Sequence, residues 1–226
     1  MMMSIFNQFV LPTILGMPTM PFVIIFPWLL ISSLNQWNPN RIHSILNWLL
    51  AYLTKQIFLP LSSKISKWSF LFMSILIYLM SVNLLGLLPY TFTPTTQLSL
   101  NLALAIPLWI TTILIGLRNQ FSKSISHLVP EGTPTLLIPA LIIIESVSLM
   151  IRPLTLAIRL TANLTAGHLL IHLISSGIMV LISTSPILSL LTLIILMLLT
   201  ILEIAMAVIQ AYVFILLLSL YLQENS

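Results

Sequence analysis

The chain has 226 residues, of which 59% are hydrophobic and only 5% carry a formal charge. Soluble domains typically carry about 25% charged residues, so this chain has too little charge to cover a surface exposed to water. The composition excludes a soluble enzyme, a nucleic-acid-binding protein and a disordered chain, all of which need more polar surface. We therefore predict an all-α membrane protein, in which the eight Lys and Arg and the four Glu residues need a specific explanation.

The first hydrophobic stretch, residues 9–31, is predicted to be a membrane span. Residues 1–40 contain no Lys, Arg, Asp or Glu, whereas a secretory signal begins with basic residues and a mitochondrial presequence is rich in arginine. We therefore interpret the stretch as a retained span that its prolines bend, which neighbouring helices can tolerate. Residues 41–54 then place apolar side chains at helical spacing in a basic segment. They indicate an amphipathic helix on the membrane surface, with a solvated loop as the alternative.

A long uncharged stretch, residues 68–117, has room for two further spans, because about 20 apolar helical residues cross a bilayer core of about 30 Å. Prolines and aromatic residues between positions 87 and 94 mark a turn at interfacial depth. The predicted spans are therefore residues 68–88 and 96–117. Basic residues follow the first and third spans, so the positive-inside rule places both basic segments on the inner face and the N-terminus on the outer side.

The C-terminal half is predicted to form two long helices, residues 136–176 and 187–222. Neither Pro nor Gly occurs after Pro186, so the last segment can form one helix about 54 Å long at about 1.5 Å per residue. Such a helix must tilt strongly or break in a bilayer. Serine-rich segments at 175–177 and 183–186 are expected to connect the two helices. We predict a hairpin of tilted helices that brings the count to about five crossings and the C-terminus to the inner side; several shorter spans are the alternative.

Four charged side chains fall within these hydrophobic helices: Glu145, Arg152, Arg159 and Glu203. A charge at the bilayer centre costs about 2.5–3.5 kcal/mol on insertion scales, so such residues face a bundle interior or a wet cavity and mark ion pathways. Positions 145, 152 and 159 are seven residues apart, nearly two helical turns, and therefore lie on one stripe. Asn163 continues this stripe, and Glu203 and Gln210 repeat the spacing on the last helix.

Arg159 is the hardest of these charges to explain as a structural residue. Its guanidinium cannot lose its proton, and apolar residues flank it on both sides. It therefore needs a counter-anion, which is either Glu203 or a carboxylate from another subunit. Arg152 is instead expected to snorkel to the inner interface, and Glu131 and Glu224 are interpreted as solvated charges.

His168 and His172 lie one helical turn apart on one face. Two histidines without cysteine or a nearby aspartate make a weak metal site, and we predict neither a metal nor another cofactor. Because histidine titrates near neutral pH, a proton relay is the better-motivated role. A simple hydrogen bond to a neighbouring helix is the alternative for both.

Three motifs resemble subunit a of the F-type ATP synthases. Residues 155–168, TLAIRLTANLTAGH, are similar to the first signature of that family, and residues 203–212, EIAMAVIQAY, are similar to its second signature helix. The sequence NLLGLLP at residues 83–89 also matches. The similarity extends over essentially the whole chain and is closest to the animal mitochondrial form.

The resemblance implies a stator subunit that guides protons to and from a ring of c-subunits, each with one carboxylate. It makes Arg159 the essential arginine between two aqueous half-channels, with Asn163 and Gln210 as polar neighbours. His168 and Glu203 then line the half-channel that enters from the outer side. His172 remains a further candidate for proton translocation on the strength of its titratable side chain, not of the resemblance. Glu145 lies in the half-channel that opens to the matrix.

The same resemblance implies the partners and the location. The partners are the c-ring, the peripheral stalk, other small membrane subunits, the lipid bilayer and protons, without nucleic acid. The location is the mitochondrial inner membrane, with the N-terminus in the intermembrane space and the C-terminus in the matrix. This chain has no active site of its own, since it converts ion flow into rotation.

Two other functions remain open from the residues alone. The first is a subunit of a secondary proton or cation transporter or antiporter, which also has charges at the membrane midplane. This hypothesis predicts inverted repeats and broken helices in both halves of the chain. A structural membrane scaffold is the second alternative. A scaffold without an ion path does not require the polar stripes at positions 145, 152 and 159 and at positions 203 and 210.

Overall fold

The computed structural model describes residues 9–10, 13–14, 16–31, 41–58, 65–88, 91–119 and 137–225. Two strands of two residues, β1 (Thr13–Ile14) and β2 (Met17–Pro18), pair antiparallel at a turn that contains Gly16. The α-helices of these residues are α1 (Met20–Ile31), α2 (Arg41–Phe58), α3 (Ser69–Gly86), α4 (Leu98–Asn119), α5 (Ile138–Thr184) and α6 (Pro186–Asn225). Short 3₁₀ turns, Ile65–Trp68 and Pro94–Thr96, precede α3 and α4.

Four helices of the described residues, α3 to α6, are long and apolar enough to cross a membrane. This finding confirms the predicted class, an all-α membrane protein with long C-terminal helices. Lys123, one of the basic residues that follow the third predicted span, lies outside what the structure describes, as do Glu131 and the side chain of Glu224.

The N-terminal helix is shorter than the span predicted over residues 9–31. Helix α1 has 12 residues and begins only after the β1–β2 turn. Pro18 lies in β2 and lacks the N–H that a helix interior requires, whereas Pro21 falls in the first helical turn, where that N–H is not needed. Pro18 therefore lies outside the helix, and α1 begins two residues later, at Met20.

Helices α2, α3 and α4 follow the sequence-based boundaries closely. Helix α2 covers the predicted amphipathic segment 41–54 and continues to Phe58. Helices α3 and α4 correspond to the predicted spans 68–88 and 96–117, with ends shifted by one or two residues. Between them, the Thr91 hydroxyl donates to the carbonyl oxygens of Leu85 (3.0 Å) and Leu88 (2.7 Å), which gives carbonyls at the end of α3 a hydrogen-bond partner.

Helices α5 and α6 are longer than predicted, with 47 and 40 residues, and only Ser185 separates them. Residues 175–177, predicted to belong to the connection, lie inside α5. The hydroxyls of Ser175 and Ser176 donate to the carbonyl oxygens of His172 (2.9 Å) and Leu173 (2.8 Å). Because these bonds use carbonyls of the preceding turn, both serines are compatible with a continuous helix. At about 1.5 Å per residue, α5 is about 70 Å and α6 about 60 Å long.

The chain divides into two compact units. Unit 1 consists of Met1–Ser32, Ile77–Asn101 and Ile158–Tyr212. Its buried apolar residues come from α3, α5 and α6 and include Leu79, Val82, Leu160, Leu164, Ala207 and Ala211. The buried residues of α6 in this set are alanines, and small residues let helices approach closely in lipid.

Unit 2 consists of Ser33–Leu76, Leu102–Ala157 and Val213–Ser226. Its buried apolar residues come from five helices and include Ile57, Leu76, Ala105, Leu156, Phe214 and Leu218. Larger side chains dominate this core, and close packing of such side chains is typical of protein interiors.

The end of α3 contains a tight contact that predicts a stability change. A Cβ at Gly86 would lie 2.8 Å from Cγ2 of the buried Thr93. Gly86→Ala is therefore expected to lower the free energy of unfolding by about 1–3 kcal/mol through overpacking. Thr93→Ser removes that methyl group and keeps the hydroxyl, so the double variant should recover most of the loss. The unfolding temperatures of the single and the double variant can be measured in detergent. Equal unfolding temperatures would contradict the contact between position 86 and the Thr93 methyl group.

Candidate functional site

Unit 1 brings polar residues of α5 and α6 together as two pairs. The Asn163 amide Nδ2 donates to Gln210 Oε1 at 3.0 Å, and His168 Nδ1 lies 3.9 Å from Glu203 Oε1. The position rises from 163 to 168 on α5 while the partner falls from 210 to 203 on α6, so the two helices are antiparallel here. The side chains that the sequence places on separate helices thus face each other.

Glu203 is the most deeply buried charged group of this arrangement. The residue is 4% exposed, and neither of its carboxylate oxygens has a hydrogen-bond partner among the described residues. The second ring nitrogen of its neighbour, His168 Nε2, is also buried without such a partner. Buried polar atoms are normally hydrogen-bonded. A carboxyl group and an imidazole can each bind and release a proton, and here the two lie side by side with polar atoms that no described residue hydrogen-bonds.

Gly167 determines where the Glu203 carboxylate lies. A Cβ at position 167 would lie 2.5 Å from Glu203 Oε1 and 2.9 Å from its Cδ, closer than carbon atoms can approach. The carboxylate therefore occupies space on α5 that any other residue at 167 would fill. This glycine permits the close approach of the Glu203 side chain to α5, one residue before His168.

Asn83 of α3 is a third polar contribution to unit 1. Its Nδ2 donates to the backbone oxygen of Ala207 at 3.4 Å, one helical turn beyond Glu203, while Asn83 Oδ1 is buried without a hydrogen-bond partner among the described residues. Asn83 belongs to the motif at residues 83–89 but is not among the site residues predicted from the sequence. The available signal was an amide near the end of a largely apolar span.

Arg159 lies on an exposed face of α5. Its side chain makes no hydrogen bond or ion pair with any described residue, so Glu203 is not its counter-anion in this structure. Thr155, Ala162 and Ala166 are exposed as well, and their positions, four before and three and seven after Arg159, share its helical face. A positive charge thus stands on a face lined by small residues.

Unit 2 contains a separate charged pair. Arg152 Nη2 lies 3.8 Å from Glu145 Oε1, and the Arg152 guanidinium carbon lies 5.0 Å from the centre of the Tyr221 ring. The sequence-based prediction for Arg152, a side chain at the inner membrane interface, included neither contact. The seven-residue spacing from Glu145 was the signal for the first of them; no signal in the sequence indicated the second.

His172, the second histidine of the predicted set, is not part of either polar pair. The His172 side chain is exposed and makes no hydrogen bond with a described residue. Within the part of the chain that the structure describes, no three His, Asp or Glu residues gather as a metal site would require. Of the two histidines, only His168 lies beside an acid.

Comparison with known proteins identifies the family. The family model of the ATP synthase A chain matches residues 14–223. The chain is 57% identical to the ATP synthase F(0) complex subunit a of Gadus morhua and 58% identical to that of Struthio camelus, in both cases over 226 residues and the full length of both chains. Its identity to the Didelphis virginiana protein of the same name is 54% over 223 residues, 99% of each chain. The resemblance seen in the three motifs is thereby confirmed, and the chain belongs to the ATP synthase A chain family.

Proposed function

We propose that this chain is the proton-conducting stator subunit in the membrane sector of an ATP synthase. It receives protons through one half-channel, passes them to carboxylates on a rotating ring of c-subunits, and releases them through a second half-channel. The observation that carries the proposal is Arg159, a permanent cation on an exposed face of a membrane-spanning helix, without a counter-anion among the described residues.

The surroundings of Arg159 support a partner that approaches closely and brings a negative charge. An uncompensated arginine at membrane depth is costly, while the small side chains of Ala162 and Ala166 leave room for the backbone of another helix. Of the two counter-anions that the sequence left open, Glu203 lies beside His168, 3.9 Å from its Nδ1, and makes no ion pair with Arg159. A carboxylate on a neighbouring subunit is therefore the preferred counter-anion. In a rotating ring, each carboxylate in turn can pass the same fixed arginine.

The polar pairs of unit 1 support the assignment of the entry path. Glu203 and His168 form the relay that delivers a proton from the outer side, because both have polar atoms available for exchange. Asn163 and Gln210 are held by their mutual hydrogen bond and provide a neutral polar neighbourhood for the arriving carboxylate. His172, being exposed, is the weakest member of the predicted set. Glu145 belongs to the path that opens to the inner side.

The mechanism follows from the charge of Arg159. A permanent cation favours the ionised form of a carboxylate that passes it, so a ring carboxylate releases its proton to one half-channel before it meets the arginine. It takes up a proton from the other half-channel before it returns to lipid, where an unpaired charge is costly. The same cation repels a proton that would cross directly. The driving force is about 2.3 kcal/mol per proton per 100 mV of membrane potential, so one ATP requires several protons.

The proposed location is the inner mitochondrial membrane, in line with the animal sources of the relatives. The basic residues that follow the first and third predicted spans support an N-terminus in the intermembrane space and a C-terminus in the matrix. Besides the c-ring, the proposed partners are the peripheral stalk and the other small membrane subunits of the complex.

A cross-linking experiment tests the proposed contact with the c-ring. The chain has no cysteine, so Ala166→Cys introduces its single thiol on the face of Arg159. A thiol-reactive photo-cross-linker on membranes that hold the assembled complex should join this position to a small two-helix subunit. Ile110→Cys, an equally apolar and exposed position on α4, is the control and should give no such product. Absence of the product from both Ala166→Cys and Ala162→Cys would contradict the proposal.

A further inference from the structure

The charged pair of unit 2 has a third member on a different helix. Glu145 and Arg152 belong to α5, while Tyr221 belongs to the C-terminal end of α6. The guanidinium of Arg152 contacts both, at 3.8 Å to the carboxylate and 5.0 Å to the ring centre. None of the three residues takes part in the polar pairs of unit 1, so this cluster requires its own explanation.

The contact between Arg152 and Glu145 follows from helix geometry and side-chain length. Residues seven apart share a face but are separated by about 10 Å along the axis, too far for two short side chains to meet. Side chains on a helix point toward its N-terminus, so the longer arginine reaches back toward Glu145. The glutamate and arginine side chains remain 38% and 31% exposed, and such a partly solvated pair has many alternative rotamers that do not meet.

The Tyr221 ring selects among those rotamers. A guanidinium within about 6 Å of an aromatic centroid is attracted to the face of the ring, and the Arg152 guanidinium lies well inside this range. The planar guanidinium can stack on a ring while its N–H groups point to a carboxylate. The last turns of α6 thus hold the cation at the place from which it contacts Glu145.

From this geometry we infer that Arg152 is a positioning residue for the Glu145 carboxylate, and that the ring of Tyr221 holds Arg152 in place. The inference rests on the proposed role of Glu145 in the inner half-channel. The two arginines of α5 have different roles: Arg159 is exposed and has no partner among the described residues, while Arg152 contacts Glu145. The C-terminal end of the chain thereby contributes to proton release without touching the proton itself.

Four variants of the assembled complex in membrane vesicles test the inference: Glu145→Gln, Arg152→Met, Tyr221→Leu and Tyr221→Phe. The readout is ATP synthesis per assembled complex, with the amount of complex measured on native gels. Tyr221→Leu should reduce the rate about fivefold, the size expected from one lost ring–cation contact. Tyr221→Phe keeps the ring and should retain the original rate. This rescue by phenylalanine distinguishes positioning by the ring from a role of the hydroxyl group.

The double variant distinguishes a Tyr221 ring that acts through Arg152 from two residues that affect the rate independently. If Tyr221 acts through Arg152, the Arg152→Met/Tyr221→Leu double variant should be no slower than Arg152→Met alone, because coupled residues are not additive. Additive losses, or equal losses for Tyr221→Leu and Tyr221→Phe, would overturn the inference. An unchanged rate in Glu145→Gln would overturn the role of Glu145 and the inference together. A slow Glu145→Gln with an unchanged Tyr221→Leu would overturn the inference alone.

Discussion

Arg159→Ala is expected to reduce proton-driven ATP synthesis to background while the complex still assembles. The side chain is exposed and makes no hydrogen bond or ion pair with a described residue. Substitutions at such positions usually change the free energy of unfolding by no more than about 0.5 kcal/mol. Its loss removes the permanent cation that a passing carboxylate would meet at this position. A large functional loss without a stability loss is the signature of a charge kept for function.

The matched control for this prediction is Arg118→Ala. Arg118 is also exposed, in the last turn of α4, where it is interpreted as a residue that orients the chain. Synthesis per assembled complex should be unchanged in Arg118→Ala and absent in Arg159→Ala. Membrane vesicles energised by a respiratory substrate allow both rates to be measured under one proton gradient. Normal synthesis in Arg159→Ala would refute the proposed function.

Gly167→Ala is expected to slow proton transfer strongly without weakening the fold. Alanine in a helix interior is more favourable than glycine by about 0.5–1 kcal/mol, so the backbone gains from the change. The added Cβ would lie 2.5 Å from Glu203 Oε1, and the flexible carboxylate must move aside, away from its place next to His168. A displacement of about 1 Å in a catalytic geometry can cost about 100-fold in rate, and we expect a fall of up to that size.

Gly177→Ala provides the control on the same helix. Nothing lies within 4 Å of a Cβ built at Gly177, so this variant receives the same backbone benefit without touching a neighbour. Proton uptake by vesicles and thermal unfolding of the complex should be measured for both variants. Equal proton uptake in Gly167→Ala and Gly177→Ala would show that the position of the Glu203 carboxylate does not matter.

The sequence predicts the helices best where both ends of the apolar pattern are marked. The boundaries of α3 and α4 agree within two residues because charge, proline and aromatic residues mark both ends. The serines at 175 and 176 suggested a connection, yet their hydroxyls bond to the preceding turn and α5 continues to Thr184. At the N-terminus, apolar length alone suggested a full span, whereas proline spacing limits α1 to 12 residues.

Composition and spacing alone determined the membrane class, the long C-terminal helices and the small set of charged residues that lipid makes conspicuous. The seven-residue intervals also placed Glu145, Arg152 and Arg159 on one stripe, because helix periodicity is a local property. Tertiary structure decided which of these charges meet a partner. Packing of α6 brings Glu203 to His168 and Tyr221 to Arg152, while Arg159 stays exposed. Spacing along one helix carries no information on the rotation and register of the helix packed against it, and that register selects the pairs.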